Sequence, residues 1–219
     1  MSTFLKKELK ENNFAVEEIQ DNVLLVKDFI LDEELEEIFD YINNAKEEDW
    51  LIEYTTNLKR FCMEKFGRDD VENLVAEGKF EITQNWNDKN LNIRHTDLYQ
   101  KLYTRLSELI KVSSEDLHLS GFATIQRMQE GVELKSHTDQ HTDPSIKYAT
   151  ILYLNDDYVG GELFFEKNGL EIKPEKKSML IFPGNDKFEH GVKHVGKGPI
   201  RYVLVGFIKI NNFYENNKY

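Results

Sequence analysis

The chain has a single cysteine, Cys62, in 219 residues. That excludes an internal disulfide and any metal site built from several thiolates, and leaves Cys62 as a buried or incidental thiol. Glycine is scarce in the first half: only Gly67 and Gly78 precede residue 120, and the other ten follow it. No apolar run approaches the roughly 20 residues that a membrane-spanning helix needs. The stretch Met1 to Asn13 is charged and lacks the apolar centre of a signal peptide, so a cytoplasmic protein is expected. Basic residues are in deficit, 28 Lys and Arg against 40 Asp and Glu, for a formal net charge of −12. Such a surface repels polyphosphate and counts against extended contact with nucleic acid. Lys173, Lys176 and Lys177 lie close together and read as a solvated turn.

What is present divides into two styles. The length suits one domain with a sizeable core, taken as residues 1–219. Its first part, 1–118, reads as a helical support region with one lead-in strand, Val23 to Phe29. One helix opens at Leu31-Asp32-Glu33-Glu34, with Asp32 as its cap and Leu35, Ile38, Phe39 and Ile42 as its apolar stripe. Asp69 to Ala76 reads as a short helix ended near Gly78. Asp97 to Val112 carries Leu98, Leu102, Leu106 and Ile110 at a spacing of four, the pattern of a longer helix.

From 119 to 210 the pattern becomes short strands between turn signals. These are Ala123–Arg127, Glu133–Thr138, Tyr148–Leu154, Glu162–Glu166, Leu170–Lys173, Ser178–Phe182, Glu189–Val192 and Arg201–Ile210. Asn168-Gly169 marks a tight hairpin, for which a type I′ turn needs positive φ at both central positions. Regularly spaced short strands point to a sandwich or jelly roll. Residues 211–219 are polar and read as a frayed tail.

The triplet His-Thr-Asp occurs three times, so context must separate the copies. His95-Thr96-Asp97 directly precedes the longer helix, where Thr96 or Asp97 can cap exposed N–H groups. His141-Thr142-Asp143 is followed by Pro144, which favours a turn. His137-Thr138-Asp139 ends an extended run. Side chains alternate along a strand, so His137 and Asp139 can face the same way at its end. A distant histidine would complete a two-His-one-carboxylate set, the arrangement of non-haem Fe(II) oxygenases. His190 is well placed for this and His194 lies in the same region, whereas His118 reads as a surface or core residue. Three protein ligands leave about three positions of an octahedral ion open, room for a bidentate co-substrate and dioxygen. Arg201 opens the last strand, and its planar guanidinium suits the far carboxylate of such a co-substrate.

In ordered succession the chain carries Gly131, His137-Thr138-Asp139, YATILYLN at 148–155, GGELFF at 160–165, SMLIFPG at 178–184, HGV at 190–192 and Arg201-Tyr202. With these it resembles the 2-oxoglutarate and Fe(II)-dependent dioxygenases, in their prolyl-4-hydroxylase-like branch. Val26 to Leu31 is similar to the family's usual lead-in. The resemblance implies an α+β fold with a mainly β core, a double-stranded β-helix (jelly-roll) barrel braced by N-terminal helices. It implies Fe(II) held by His137, Asp139 and His190, and 2-oxoglutarate held by Arg201 and Tyr153. It further implies O2 as co-substrate and ascorbate as reductant. Two positions depart from the family. Met128 stands where related hydroxylases often have a tyrosine, and Lys177 stands where glycine is common, at what reads as an exposed turn.

The implied reaction is hydroxylation of an unactivated C–H bond with release of succinate and CO2, on a peptidyl proline. A free amino acid or small metabolite is the alternative substrate. The loop after Asp139 and the stretch from Trp50 to Arg94, with Tyr54, Phe61 and Trp86, read as the substrate wall. Net acidity suits a basic peptide. A nucleic-acid demethylase is disfavoured by charge and by the lack of a second arginine soon after Arg201. A non-catalytic jelly-roll binding protein is disfavoured because no expected ligand is missing.

Overall fold

The computed structural model describes residues 14–51, 62–63, 66–79, 89–93, 96–111, 117–211 and 213. In chain order the strands are β1 (Ala15–Gln20), β2 (Val23–Lys27), β3 (Trp50–Leu51), β4 (Lys89–Asn92), β5 (Leu117–Met128) and β6 (Leu134–His137). Then follow β7 (Ile146–Tyr153), β8 (Leu163–Phe165), β9 (Leu170–Ile172), β10 (Met179–Pro183), β11 (His190–Val192) and β12 (Arg201–Ile210). The helices are α1 (Asp32–Asn44), α2 (Val71–Ala76), α3 (Asp97–Lys111) and the single turn α4 (Asp139–Thr142). An eight-stranded sheet runs β1-β2-β10-β7-β12-β5-β4-β3 and faces a four-stranded sheet, β6-β11-β8-β9. This is the expected double-stranded β-helix braced by helices. Among the described residues no helix is long and apolar enough to cross a membrane.

The large sheet is buried on both faces, which is why β2, β7 and β10 are nearly continuous apolar runs. Alternate residues then serve two cores. Leu24, Val26, Leu152, Met179, Ile181 and Leu204 pack outward against α1 and α3, whose Leu35, Ile38, Ile42, Leu98, Leu102 and Leu106 complete that cluster. Val23, Leu25, Ile151, Tyr153, Leu180, Phe182 and Val203 point the other way, into the barrel, where Phe165 and Val192 of the small sheet meet them.

Four local expectations change. The first concerns α1: it starts one residue earlier than a cap at Asp32 would require, with Leu31 in the cap position and Glu34 reaching back to accept from the Leu31 N–H at 2.8 Å. At Asn168-Gly169 the connection is a four-residue loop in which Gly169 takes positive φ and Asn168 does not, because Phe165 pairs with Leu170. β1, β3 and β4 were not expected: β1 and β3 are edge strands and β4 is polar, so all three lack a clear apolar signature. Lys177 has positive φ, but it is no loose surface turn. Its Nζ pairs with Asp28 at 3.3 Å and Asp32 at 3.0 Å, and its carbonyl accepts from the Phe29 N–H. The segment joining β2 to α1 is thereby latched onto the barrel.

A second link holds α1 to α3. Arg105 donates to both carboxylate oxygens of Glu34, at 2.6 and 2.7 Å, and to the Phe29 carbonyl at 3.0 Å. Burial raises the Glu34 pKa, but the bonds from Arg105 and Leu31 outweigh it and hold the carboxyl below its ordinary value of 4.5. A depressed folded pKa contributes stability above the ordinary value and loses it as pH falls through the folded one. Glu34→Gln is therefore expected to cost about 2 kcal/mol at pH 7, the scale of hydrogen bonds to charged groups. Urea titrations of both proteins should show that gap closing below pH 4.5.

Candidate metal centre

Pairing of β6 with β11 sets His137 directly opposite His190, with ring centroids 4.5 Å apart. Each ring is oriented the same way. Nδ1 of His137 lies 3.0 Å from the Lys135 carbonyl, and Nδ1 of His190 lies 3.0 Å from the Phe188 carbonyl. A carbonyl only accepts, so Nδ1 carries the proton in both and Nε2 is left as the donor atom for a ligand. Both Nε2 atoms address Asp139, at 3.8 Å from Oδ1 for His137 and 3.9 Å from Oδ2 for His190. These are too long for hydrogen bonds. The three donor atoms lie within 4.8 Å of one another, which leaves room for one ion among them.

Asp139 is not a strand residue, as its sequence context suggests, but the first residue of α4. Thr138 before it is extended, at φ −120 and ψ 128, so the alternation that puts 137 and 139 on one side still holds. Gln140 ties this turn down: its N–H donates to the Gly184 carbonyl at 3.1 Å and its side chain to the Ile146 carbonyl at 2.8 Å. Gly184 must be small, since a Cβ there would lie 2.9 Å from Ile146 and 3.4 Å from Asp139.

Burial pushes the Asp139 carboxyl up to about 6, opposed by His137, and its Oδ2 is buried with no hydrogen-bond partner among the described residues. Burial, with His137 adding to it, holds His190 down to about 3 against the raising effect of the Phe188 carbonyl. At neutral pH His190 is thus a neutral imidazole beside a carboxylate, the donor chemistry a divalent ion takes. His190 packs on Phe182, centroid to centroid 4.7 Å, and on Phe165 at 6.0 Å. The His137 side chain is 28% exposed against 7% for Asp139 and 6% for His190, so the centre opens on the His137 side.

The same barrel interior holds Arg201. It is 0% exposed, and it has no carboxylate partner among the described residues. Its Nε donates to the Gly161 carbonyl at 3.1 Å and its Nη1 lies 3.4 Å from the sulfur of Met128, its cross-strand neighbour. Nη2 has no partner. The guanidinium carbon sits 5.4 Å from the Tyr153 ring and 5.7 Å from that of Tyr158; among the described residues neither buried phenol oxygen has a hydrogen bond of good geometry, though Arg201 is near enough to lower the pKa of both. Burial drives the Tyr153 phenol far above its ordinary pKa despite Arg201, so it stays a proton donor. A buried cation flanked by unsatisfied donors is costly unless an anion completes it. The residues therefore fit a carboxylate, as the His-Asp-His trio fits a metal ion.

Of the residues expected at the site, the structure brings together His137, Asp139 and His190, and Arg201 with Tyr153. His194 is exposed in an outer cleft with Glu133 and Phe164, away from the trio. His141 is exposed and pairs with Asp186 at 3.2 Å. Thr96 caps α3, its Oγ1 accepting from the Tyr99 N–H at 3.1 Å. Tyr54, Phe61, Trp86, Arg94 and His95 lie outside the described residues. Tyr158 was missed. Its only sequence signal is an aromatic placed just before Gly160-Gly161.

Residues 123–209 match the family model described as 2OG-Fe(II) oxygenase superfamily. The matched segment contains all three donor residues, Tyr153, Tyr158 and Arg201. Three solved structures share the fold at low identity. A prolyl hydroxylase from Trichoplax adhaerens, in complex with a hypoxia inducible factor peptide fragment, has a TM-score of 0.62 at 15% identity, covering 100% of this chain and 98% of its own. A viral collagen prolyl hydroxylase from Paramecium Bursaria Chlorella virus-1, in its 2OG complex, has a TM-score of 0.58 at 15% identity, covering 88% and 99%. A 2OG-Fe(II) oxygenase family oxidoreductase from Burkholderia pseudomallei has a TM-score of 0.58 at 10% identity, covering 95% and 91%. No curated protein matches the chain.

The β6–β11 seam that aligns the histidines depends on Gly191. A Cβ there would lie 2.5 Å from the Leu134 carbonyl oxygen and 2.7 Å from Phe164. Gly191→Ala is expected to weaken Mn(II) binding, measured by calorimetry, at least about tenfold, the scale for groups that orient metal ligands. Unchanged affinity would show that the trio does not depend on this seam.

Proposed function

We propose that the protein is an Fe(II)- and 2-oxoglutarate-dependent dioxygenase that hydroxylates a prolyl residue of a peptide or protein. In this reading His137, Asp139 and His190 hold the iron. Arg201 and Tyr153 hold the far carboxylate of 2-oxoglutarate. The observation that carries it is the buried, acid-free guanidinium of Arg201, which shares one barrel interior with a His-Asp-His trio. The bound iron with 2-oxoglutarate and O2 supplies the oxidising chemistry, in which one oxygen atom enters the C–H bond and the other enters succinate as CO2 is lost. The chain's part is positional. Nδ1 bonds to Lys135 and Phe188 fix both imidazoles, and Phe165 and Phe182 keep water from the His190 side. The opening beside His137 is where the substrate C–H bond approaches. Ascorbate serves as the reductant that restores oxidised iron.

The prolyl substrate is supported by the prolyl hydroxylases among the structural neighbours, one of them holding a peptide. The net charge of −12 favours a basic peptide and disfavours nucleic acid.

Anaerobic titration of Fe(II) and 2-oxoglutarate is expected to give a weak visible charge-transfer band that is lost in His137→Ala and in Asp139→Ala. A Lys-rich, Pro-containing peptide should then stimulate succinate formation above a Pro-free control. Stimulation by free amino acids alone would move the substrate to a small molecule. Formaldehyde release from a methylated oligonucleotide would make the protein a demethylase. No band, and no metal binding by calorimetry, would leave a jelly-roll binding protein.

A further inference from the structure

The buried surroundings of Arg201 contain one polar group more than the reading above uses. Tyr158 lies in the connection from β7 to β8, is 1% exposed, and its hydroxyl has no acceptor among the described residues, since the nearby Arg201 guanidinium can only donate to it. Its position is held from three sides. Arg201 lies 5.7 Å from the ring centroid on one side. Nζ of Lys173 lies 4.3 Å from the centroid and donates to the Tyr158 carbonyl. Gly161, at φ +66, leaves the space its missing Cβ would take, 3.1 Å from the Tyr158 ring and 3.0 Å from Arg201 Cδ. The connection itself is pinned to β12 through Asn155, which donates to the Ile200 carbonyl at 2.8 Å and accepts from the Tyr202 N–H at 2.8 Å.

Packing alone does not account for this tyrosine. A buried hydroxyl without a partner is a net cost that phenylalanine would avoid. Tyr153 Oη, Tyr158 Oη and Arg201 Nη2 are three such groups around one guanidinium, and no acid among the described residues answers them. Burial foremost raises both phenols, which keeps each as an O–H donor. An ionised carboxylate offers about four lone-pair sites and accepts from several donors at once. Met128 adds to the asymmetry, because its thioether is a weak acceptor for Nη1, while Nη2 has no partner among the described residues.

We propose that Tyr158 donates its hydroxyl to the far carboxylate of 2-oxoglutarate, beside Tyr153 and Arg201, and so selects a dicarboxylic over a monocarboxylic 2-oxo acid. This rests on the reading of Arg201 as the seat of that carboxylate. Tyr158 is then a co-substrate-binding residue that sets affinity at the end remote from the iron.

The test is anaerobic calorimetry on the Fe(II)-loaded full chain with 2-oxoglutarate and with 2-oxobutyrate, which keeps the 2-oxo acid end and lacks the far carboxylate. Tyr158→Phe removes one oxygen and no apolar contact. It is expected to weaken 2-oxoglutarate about tenfold, at the lower end for a hydrogen bond to a charged group, and to leave 2-oxobutyrate unchanged. The ratio of the two affinities is internal to each variant, so a change in overall stability does not mimic the effect. Equal loss for both acids would mean a purely structural role and overturn the proposal. So would wild-type affinity for 2-oxoglutarate in Tyr158→Phe while Arg201→Gln weakens it. If Arg201→Gln itself binds both acids as the wild type does, the reading of the pocket falls, and the role of Tyr158 with it.

Discussion

Burial of the eight-stranded sheet on both faces is the constraint from which the rest follows. Helices α1 and α3 cover one face and the small sheet closes over the other, so each central strand must divide its residues between two apolar clusters. A strand in that position cannot choose where a side chain goes. The first residue of β12, the last of β7 and the last of β5 are bound to point into the barrel, and they are Arg201, Tyr153 and Met128. The polar site is therefore a set of exceptions written at strand ends into an interior that is otherwise Val, Ile, Leu and Phe.

The exceptions come in two chemical kinds that do not mix. At the β6–β11 seam the chain gathers unprotonated nitrogen and carboxylate oxygen, and at the β12–β7 corner a guanidinium and two phenols whose donors outnumber the acceptors offered by Gly161 and Met128. A ligand that satisfied both would need electron-pair donors at one end to share a metal and an anionic acceptor at the other. That polarity within one barrel interior follows from the hydrogen-bond inventory of the residues present, independent of any likeness to other proteins.

Much of this was legible in the sequence because the decisive residues sit in strong local contexts. The runs YATILY and MLIFP are too apolar to be anything but central strands, and they fix the barrel's frame around His137 and His190. Arg201 was legible because a charged residue opens an apolar strand. Other parts were hidden for physical reasons. β1 reads AVEEIQ and β4 reads KNLN, and a half-exposed edge or polar strand carries no clear hydrophobic signature. Asn168-Gly169 looks like a two-residue turn, but the pairing of Phe165 with Leu170 makes the loop longer. Asp139 has the surroundings of a strand end, and only the tertiary bond from Gln140 to Gly184 curls it into a helical turn. Tyr158 could not be singled out, because its unsatisfied hydroxyl is a property of the folded neighbourhood and not of the residues beside it.

The strand β6 is four residues long and lies at the edge of its sheet, with β11 as its sole neighbour there. Strand side chains alternate, so sliding β6 by a single position would turn His137 from the barrel interior to the outer surface. His190 on β11 and Asp139, held through the Gln140 bond to Gly184, lie outside β6 and would keep their places. The alignment of this one short edge strand therefore decides whether the constellation is complete.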